Sequence, residues 1–196
     1  MKKARILMIT ASLLLLAPFL FPIWRIVLEA PQYPTPLGMD IHITKIVDMN
    51  PNDVKNINLM NHYVGMKNIP AHLPELDIFP VVIGFMAALG FLIGLKGNWK
   101  LFFAWFIVMS LLGCAGMYDF YLWEHDYGHT LDPKAIIKFT NPDGTPMGYQ
   151  PPLIGTKRIL NFTVHSYPRL GGVLVMLSVA VSSIAALVAR KAEANS

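Results

Sequence analysis

The side chains of this sequence best suited to chemistry are the six histidines, His42, His62, His72, His125, His129 and His165, together with Met39, Met49, Met60, Met66 and Met147 in the same two stretches of chain. Imidazole and thioether donors suit copper, Cu(I) above all, whereas calcium and magnesium take hard oxygen ligands. Spacing narrows the choice. In Trp123-Glu124-His125-Asp126-Tyr127-Gly128-His129 the two histidines are four residues apart and share one face of a helix, so both rings can reach one metal ion. Glu124 and Asp126 beside them would orient the rings or add an oxygen ligand. The competing reading is structural: an H-x-x-x-H pair is a common pattern, and Gly128 would end the helix ahead of His129, leaving two interfacial capping histidines. A second constellation, Leu59-Met60-Asn61-His62-Tyr63-Val64-Gly65-Met66, sets His62 and Met66 four apart with Met60 close by, a Met/His donor set for copper. Methionine is equally a filler of apolar cores, and Met39 and Met60 fall on apolar faces. A full site would unite residues from both stretches.

Composition says what scaffold must position them. With 54% hydrophobic and 14% charged residues in 196, the chain is too apolar for an ordinary water-soluble domain. Four runs, 6–28, 78–95, 101–118 and 171–189, reach the roughly 20 apolar residues that a helix needs to cross a bilayer, and only the first holds a formal charge, Arg25, near its outer end, where it can snorkel. The expected fold class is therefore membrane α-helical: four transmembrane helices, with a small α+β extracytoplasmic domain formed by the two outer segments, 29–77 and 119–170. Lys2, Lys3 and Arg5 before the first run, Lys96 and Lys100 around the tight turn, and Arg190 and Lys191 after the last run all fall on one side. That asymmetry places both termini in the cytoplasm of a multi-pass inner-membrane protein. The outer segments hold the acidic residues, Glu193 alone excepted, and the net charge of +4 then records topology and not affinity for nucleic acid. A cleaved signal peptide is the alternative for the first run, but the run is long, no A-x-A site follows, and Ala30 is followed by Pro31. The one cysteine, Cys114, lies deep in the third run, where it reads as a small packing residue, so no disulfide can staple the outer segments.

Within the outer segments, 39–44 alternates apolar and polar residues as a half-buried strand does, and Asn50-Pro51-Asn52-Asp53 starts a short helix over 54–62. The third run can continue as a helix beyond the bilayer to His129, ahead of Asp132-Pro133. Residues 135–140 read as a strand, Asn141-Pro142-Asp143-Gly144 as a turn and 158–165 as a further strand. Gly90 and Gly94 form a G-x-x-x-G pair, and Gly113, Gly116, Ser178, Ser182 and Ala186 add small surfaces for close helix contact. No run carries Asp, Glu, Lys or His near its middle, which argues against ion translocation by this chain alone. Phosphate-binding, nucleophile-elbow, zinc-protease and haem-attachment motifs are all missing, so nothing in the sequence requires catalysis. The sequon Asn161-Phe162-Thr163 reads as ordinary strand residues.

Three strings, Asn58-Leu59-Met60-Asn61-His62-Tyr63-Val64-Gly65-Met66, Asp126-Tyr127-Gly128-His129-Thr130-Leu131-Asp132-Pro133 and Tyr149-Gln150-Pro151-Pro152-Leu153-Ile154-Gly155, resemble those of small integral membrane proteins encoded beside bacterial nitrous oxide reductase and its copper-maturation factors. The resemblance covers both outer segments and the helix arrangement, and it brings no catalytic residues with it. It implies an accessory role near a periplasmic copper enzyme. The expectation is an inner-membrane accessory protein whose outer domain binds copper, or docks a copper-handling partner, during assembly of a periplasmic metalloenzyme. Its ligands would come from His125, His129, His62 and Met66, supported by Glu124 and Asp126. Two alternatives stand beside it. One is a membrane subunit passing quinol electrons to a periplasmic reductase, with Tyr118, Tyr121 and Trp123 flanking a quinone and His125 ligating a haem, although the same aromatics also read as an interfacial belt. The other is a purely structural subunit of a larger membrane complex.

Overall fold

The computed structural model describes residues 1–70 and 73–195, so His72 lies outside the described residues. The described elements run α1 (Lys2–Leu14), β1 (Trp24–Glu29), β2 (Leu37–Ile41), β3 (Ile46–Asp48), α2 (Asp53–Val64), α3 (Glu75–Lys96), α4 (Trp99–His129), β4 (Gly155–Ile159), β5 (Phe162–Pro168) and α5 (Leu170–Ala194). Three helices, α3, α4 and α5, are long and apolar enough to cross a membrane.

The expected architecture of four transmembrane helices is overturned at the first apolar run. Its helix, α1, has 13 residues and so is only about 20 Å long, short of a hydrocarbon core of roughly 30 Å. Pro18 opens a 3-10 turn over Ala17–Phe19, and Pro22 follows. Two prolines this close remove backbone donors and disfavour helix in the residues before them. Ile23-Trp24-Arg25-Ile26-Val27 then supplies the β-branched and aromatic side chains that favour a pleated strand. Hydropathy cannot separate these states, because helix and buried strand are equally apolar. Arg25 consequently does not snorkel: it lies opposite Asp40 on β2 and grips it with both arms, Nε to Oδ1 at 2.6 Å and Nη2 to Oδ2 at 2.5 Å.

α1 packs with α3, α4 and α5 into one apolar bundle in which Met8, Leu15, Phe102, Trp105 and Met109 are fully or almost fully buried. Gly90 lets the Trp105 indole approach so closely that a Cβ there would lie 2.9 Å from Nε1, and Gly94 does the same for Ile9 at 2.7 Å. Trp105 Nε1 donates to the Met86 carbonyl at 3.0 Å, and Ser178 Oγ to the Ala11 carbonyl at 2.7 Å. Gly113 and Gly116 face open space, and Cys114 is exposed, so this stretch of α4 presents its small residues outward and not to a neighbouring helix.

Above the bundle lies a five-stranded antiparallel sheet in the order β3-β2-β1-β5-β4. Pairing of β1, the end of the first apolar run, with β5 from the second outer stretch joins the two halves of the sheet. The strand expected over 158–165 is a hairpin instead. Leu160 turns the chain with φ 57°, a left-handed region that an L-residue seldom occupies, and its side chain packs, partly buried, against the domain core. The strand expected over 135–140 is absent apart from one bridge, Thr140 with Pro146. The Ile137 N–H goes to the Tyr63 carbonyl at 2.9 Å, tying this segment to the end of α2, and the Asn141–Gly144 turn closes at 2.9 Å with Gly144 at φ +83°.

α4 is continuous over 31 residues, about 46 Å, so it outruns the hydrocarbon core by several turns. Its projecting end packs under the sheet through Phe120, Trp123 and Tyr127, beginning with an edge-on contact of Trp24 and Phe120 at 5.5 Å. This projecting end positions the site.

Candidate functional site

Along the projecting part of α4, Phe120, Trp123 and Tyr127 recur at helical spacing and, with Leu131 just past the helix end, face the second core. Glu124 lies on the same stripe. Its side chain is fully buried, 0% exposed, and neither carboxyl oxygen has a hydrogen-bond partner within the protein. Glu124 lies in the wall of a cavity of about 240 Å³ bounded by the underside of the sheet (Ile26, Leu28, Met39, Val164), by α2 and the turn after it (Ile57, Met60, Val64, Met66), by α4 (Trp123, Tyr127) and by Tyr149 and Pro151. Leu160, from the strained turn, closes one side. The Trp123 indole Nε1 is buried as well, and it interacts with the neighbouring Tyr127 hydroxyl. Leaving a charged carboxylate desolvated is costly, and burial pushes the Glu124 carboxyl up to about 7, with Lys157 pulling the other way. The cavity therefore carries a carboxyl near its titration midpoint in otherwise apolar walls, an arrangement found more often at functional sites than in plain cores.

The three sequence strings singled out above converge here. The Asp132 N–H donates to the Gly65 carbonyl and the Tyr149 N–H to the Gly128 carbonyl, each at 2.8 Å. The Tyr127 hydroxyl donates to the Asn68 carbonyl at 2.9 Å. Gly128 is a contact point for backbone: a Cβ there would lie 2.5 Å from Gln150 N and Cα, so only glycine lets the 149–151 loop close over α4. Gly65, at φ +79° and pressed against Asp132 and Ala135, does the same at the end of α2.

The expected ligand residues divide between two faces. Glu124 and Met66 meet at the cavity, joined by Met39 and Met60. His125 and His129 are exposed on the outer face of α4, with rings stacked at 4.2 Å and only 18° between their planes. Ring lone pairs lie in the ring plane, so in this arrangement they run side by side and do not converge. His129 Nδ1 lies 3.0 Å from the His125 carbonyl, and Nε2 backs onto Gly148, where a Cβ would come within 2.6 Å. Asp126 bonds Lys67 at 2.6 Å and Thr130 at 2.7 Å, and these two, Lys67 foremost, hold its carboxyl below the usual range. It clasps α4 to the segment after α2 and does not face the imidazoles. His62 is exposed, edge-on to Tyr63. Among the described residues no group of three or more His, Cys, Asp or Glu side chains is placed to hold a metal. The soft donors that do gather are thioethers, those of Met39, Met60 and Met66.

The sequence reading left Met39 and Met60 between core and donor set, named Trp123 only as one of three aromatics that could flank a quinone, and missed Tyr149 and Leu160 as cavity walls. One signal was present: a carboxylate on the apolar stripe of an otherwise amphipathic helix end. On the sheet, His165 sits between Thr156 (Nδ1 to Oγ1, 2.8 Å) and Glu29 (Nε2 to Oε1, 3.4 Å), a polar string that laces β4, β5 and β1. No family model matches the chain, and no curated protein and no solved structure matches it.

Proposed function

We propose that this is a membrane-anchored binding protein whose water-facing domain captures a small, largely apolar molecule in the Glu124 cavity. The observation that carries this reading is a fully buried carboxyl, without a partner in the protein, on a residue in the wall of an apolar cavity of about 240 Å³. Such a group is retained where a ligand completes its hydrogen bonding. The anchor consists of the three apolar helices together with α1 and the 3-10 turn after it, which carry the chain from Arg5 beside Gly94 to Pro22 beside Gly171, in a bacterial inner membrane with both termini cytoplasmic. Support for that orientation comes from the basic end of the bundle, where Arg5 Nε donates to the Gly94 carbonyl at 3.4 Å and Arg190 stacks over Trp99 at 5.4 Å, opposite the sheet. The test is to extract the detergent-purified protein with organic solvent and compare wild type with a cavity-filled Ile57→Phe/Val64→Phe variant by mass spectrometry. A small molecule retained by wild type and lost from the filled, still folded variant is expected. Identical extracts, with no apolar compound stabilising one protein more than the other, would end this reading.

A second reading is copper handling for a periplasmic enzyme such as nitrous oxide reductase, and the feature in its favour is that three thioethers, Met39, Met60 and Met66, line one cavity beside a carboxylate. Cu(I) competition against a chelator decides it: affinity lost in a Met39→Leu/Met60→Leu/Met66→Leu variant, or in His125→Ala/His129→Ala, locates the metal. A protein that takes no Cu(I) from the chelator removes the reading.

A further inference from the structure

Resting on the reading of the Glu124 cavity as a ligand site, we infer that its occupant is the ring of a hydroquinone-type molecule, held with a ring hydroxyl donating to Glu124. The argument starts from size. A cavity of about 240 Å³ exceeds the roughly 150 Å³ that accommodates benzene and falls below the roughly 300 Å³ at which sites for drug-sized ligands begin. One substituted ring fits these limits. The walls agree: Trp123, Tyr127 and Tyr149 supply aromatic surface, and Ile26, Leu28 and Val164 supply the apolar remainder.

The polar groups select the class. Both oxygens of Glu124 lack a donor within the protein, so the ligand must bring an O–H or N–H. A saturated acyl chain brings none. An anion would set two negative charges side by side in a desolvated space, and an ammonium would itself have to be desolvated among apolar and aromatic walls. A hydroxylated ring supplies the donor without a second charge. Position agrees too: Glu124 lies six residues, about 9 Å along the helix, beyond the end of the apolar run 101–118. That is the boundary of the bilayer, where an amphiphilic quinol presents its head.

The experiment uses the full-length protein in detergent, kept anaerobic, and titrates a short-chain dimethoxy-methyl hydroquinone and its bis-methyl ether. Tryptophan fluorescence and thermal stability report binding in wild type, Glu124→Leu, Glu124→Gln and the Ile57→Phe/Val64→Phe variant. The hydroquinone is expected to bind wild type. Masking its hydroxyls or removing the carboxylate with Glu124→Leu should weaken binding by about tenfold to a hundredfold, the range for a hydrogen bond to a charged group. The amide of Glu124→Gln should restore part of the loss, and the filled variant should lose binding altogether. If the ether binds as tightly as the hydroquinone, or Glu124→Leu leaves affinity unchanged while filling abolishes it, the quinol inference falls and the cavity reading stands. If no compound binds in a way that filling the cavity alters, both fall. A prenyl-tailed quinol in the extract of wild type alone identifies the bilayer as the source; binding of only the added short-chain compound identifies a water-soluble hydroxyarene. Either result upholds the inference.

Discussion

Replacing Glu124 by glutamine removes a titrating group while keeping size and hydrogen-bonding capacity, and its consequence for stability follows from the position of the carboxyl. In the folded protein burial raises it from an ordinary 4.5 to about 7. The folded state then holds a proton that the unfolded chain has already released between these two values, so stability falls as pH rises through that window and levels off above it. A raised carboxyl thus contributes nothing unfavourable at pH 4.5 and its full cost at pH 8. At about 1.4 kcal/mol per unit, the span from 4.5 to about 7 is worth about 3 kcal/mol. For a chain of 196 residues this corresponds to roughly 6–12 °C in melting temperature. The assay is thermal unfolding of detergent-purified wild type and Glu124→Gln, followed by tryptophan fluorescence between pH 4.5 and 8. Other titrating groups cancel in the difference between the two proteins. Glu124→Gln is expected to match wild type near pH 4.5 and to be more stable by that amount at pH 8. Parallel curves for the two proteins across the whole range would show that Glu124 is solvated or paired, and would refute the buried, partnerless carboxyl on which the site rests.

Gly128→Ala places a Cβ 2.5 Å from the Gln150 backbone, which cannot yield as a flexible side chain would. Overpacking of this kind costs about 1–3 kcal/mol, and a lower melting temperature together with altered Trp123 emission is the expected result. Arg25→Gln strips Asp40 of its two-armed partner, with Asp40 only 15% exposed, and is expected to destabilise the protein by about 1.5–3 kcal/mol. The Arg25 partnership holds the Asp40 carboxyl below its usual range. Its stabilising effect is therefore present above pH 3.8, the ordinary value, and lost as pH falls through the depressed one, so the melting temperatures of the two proteins should converge as pH is lowered. Cys114 is exposed in the apolar part of α4, and in membranes it should react with an apolar, permeant thiol reagent but not with a charged maleimide. Labelling by the charged reagent would mean that this part of α4 faces water.

Much of the scaffold was legible because it follows from local rules. The apolar runs 78–95, 101–118 and 171–189 lie within α3, α4 and α5, since some twenty consecutive apolar residues without proline clusters leave helix as the only way to satisfy backbone donors in hydrocarbon. α2 starts at Asn52-Asp53 and stops at the left-handed Gly65 as its sequence reads, although the Asn52 side chain makes no capping bond and Asp48 accepts from the Val54 N–H instead. The run 6–28 misled because hydropathy sums over residues and is blind to conformation, whereas Pro18, Pro22 and the β-branched stretch after them decide conformation. The histidines drew attention as donors, yet whether two rings converge on a metal depends on side-chain directions that residue spacing leaves open. Glu124 could be seen on the apolar stripe of α4, but its burial could not, because the cavity is walled by residues from Ile26 to Val164 that lie on six elements and the loops between them. Spacing along a chain fixes which groups share a helix face. Only the pairing of β1 with β5, which folds the two outer stretches over the projecting end of α4, removes water from that face and turns a carboxylate among aromatics into a site.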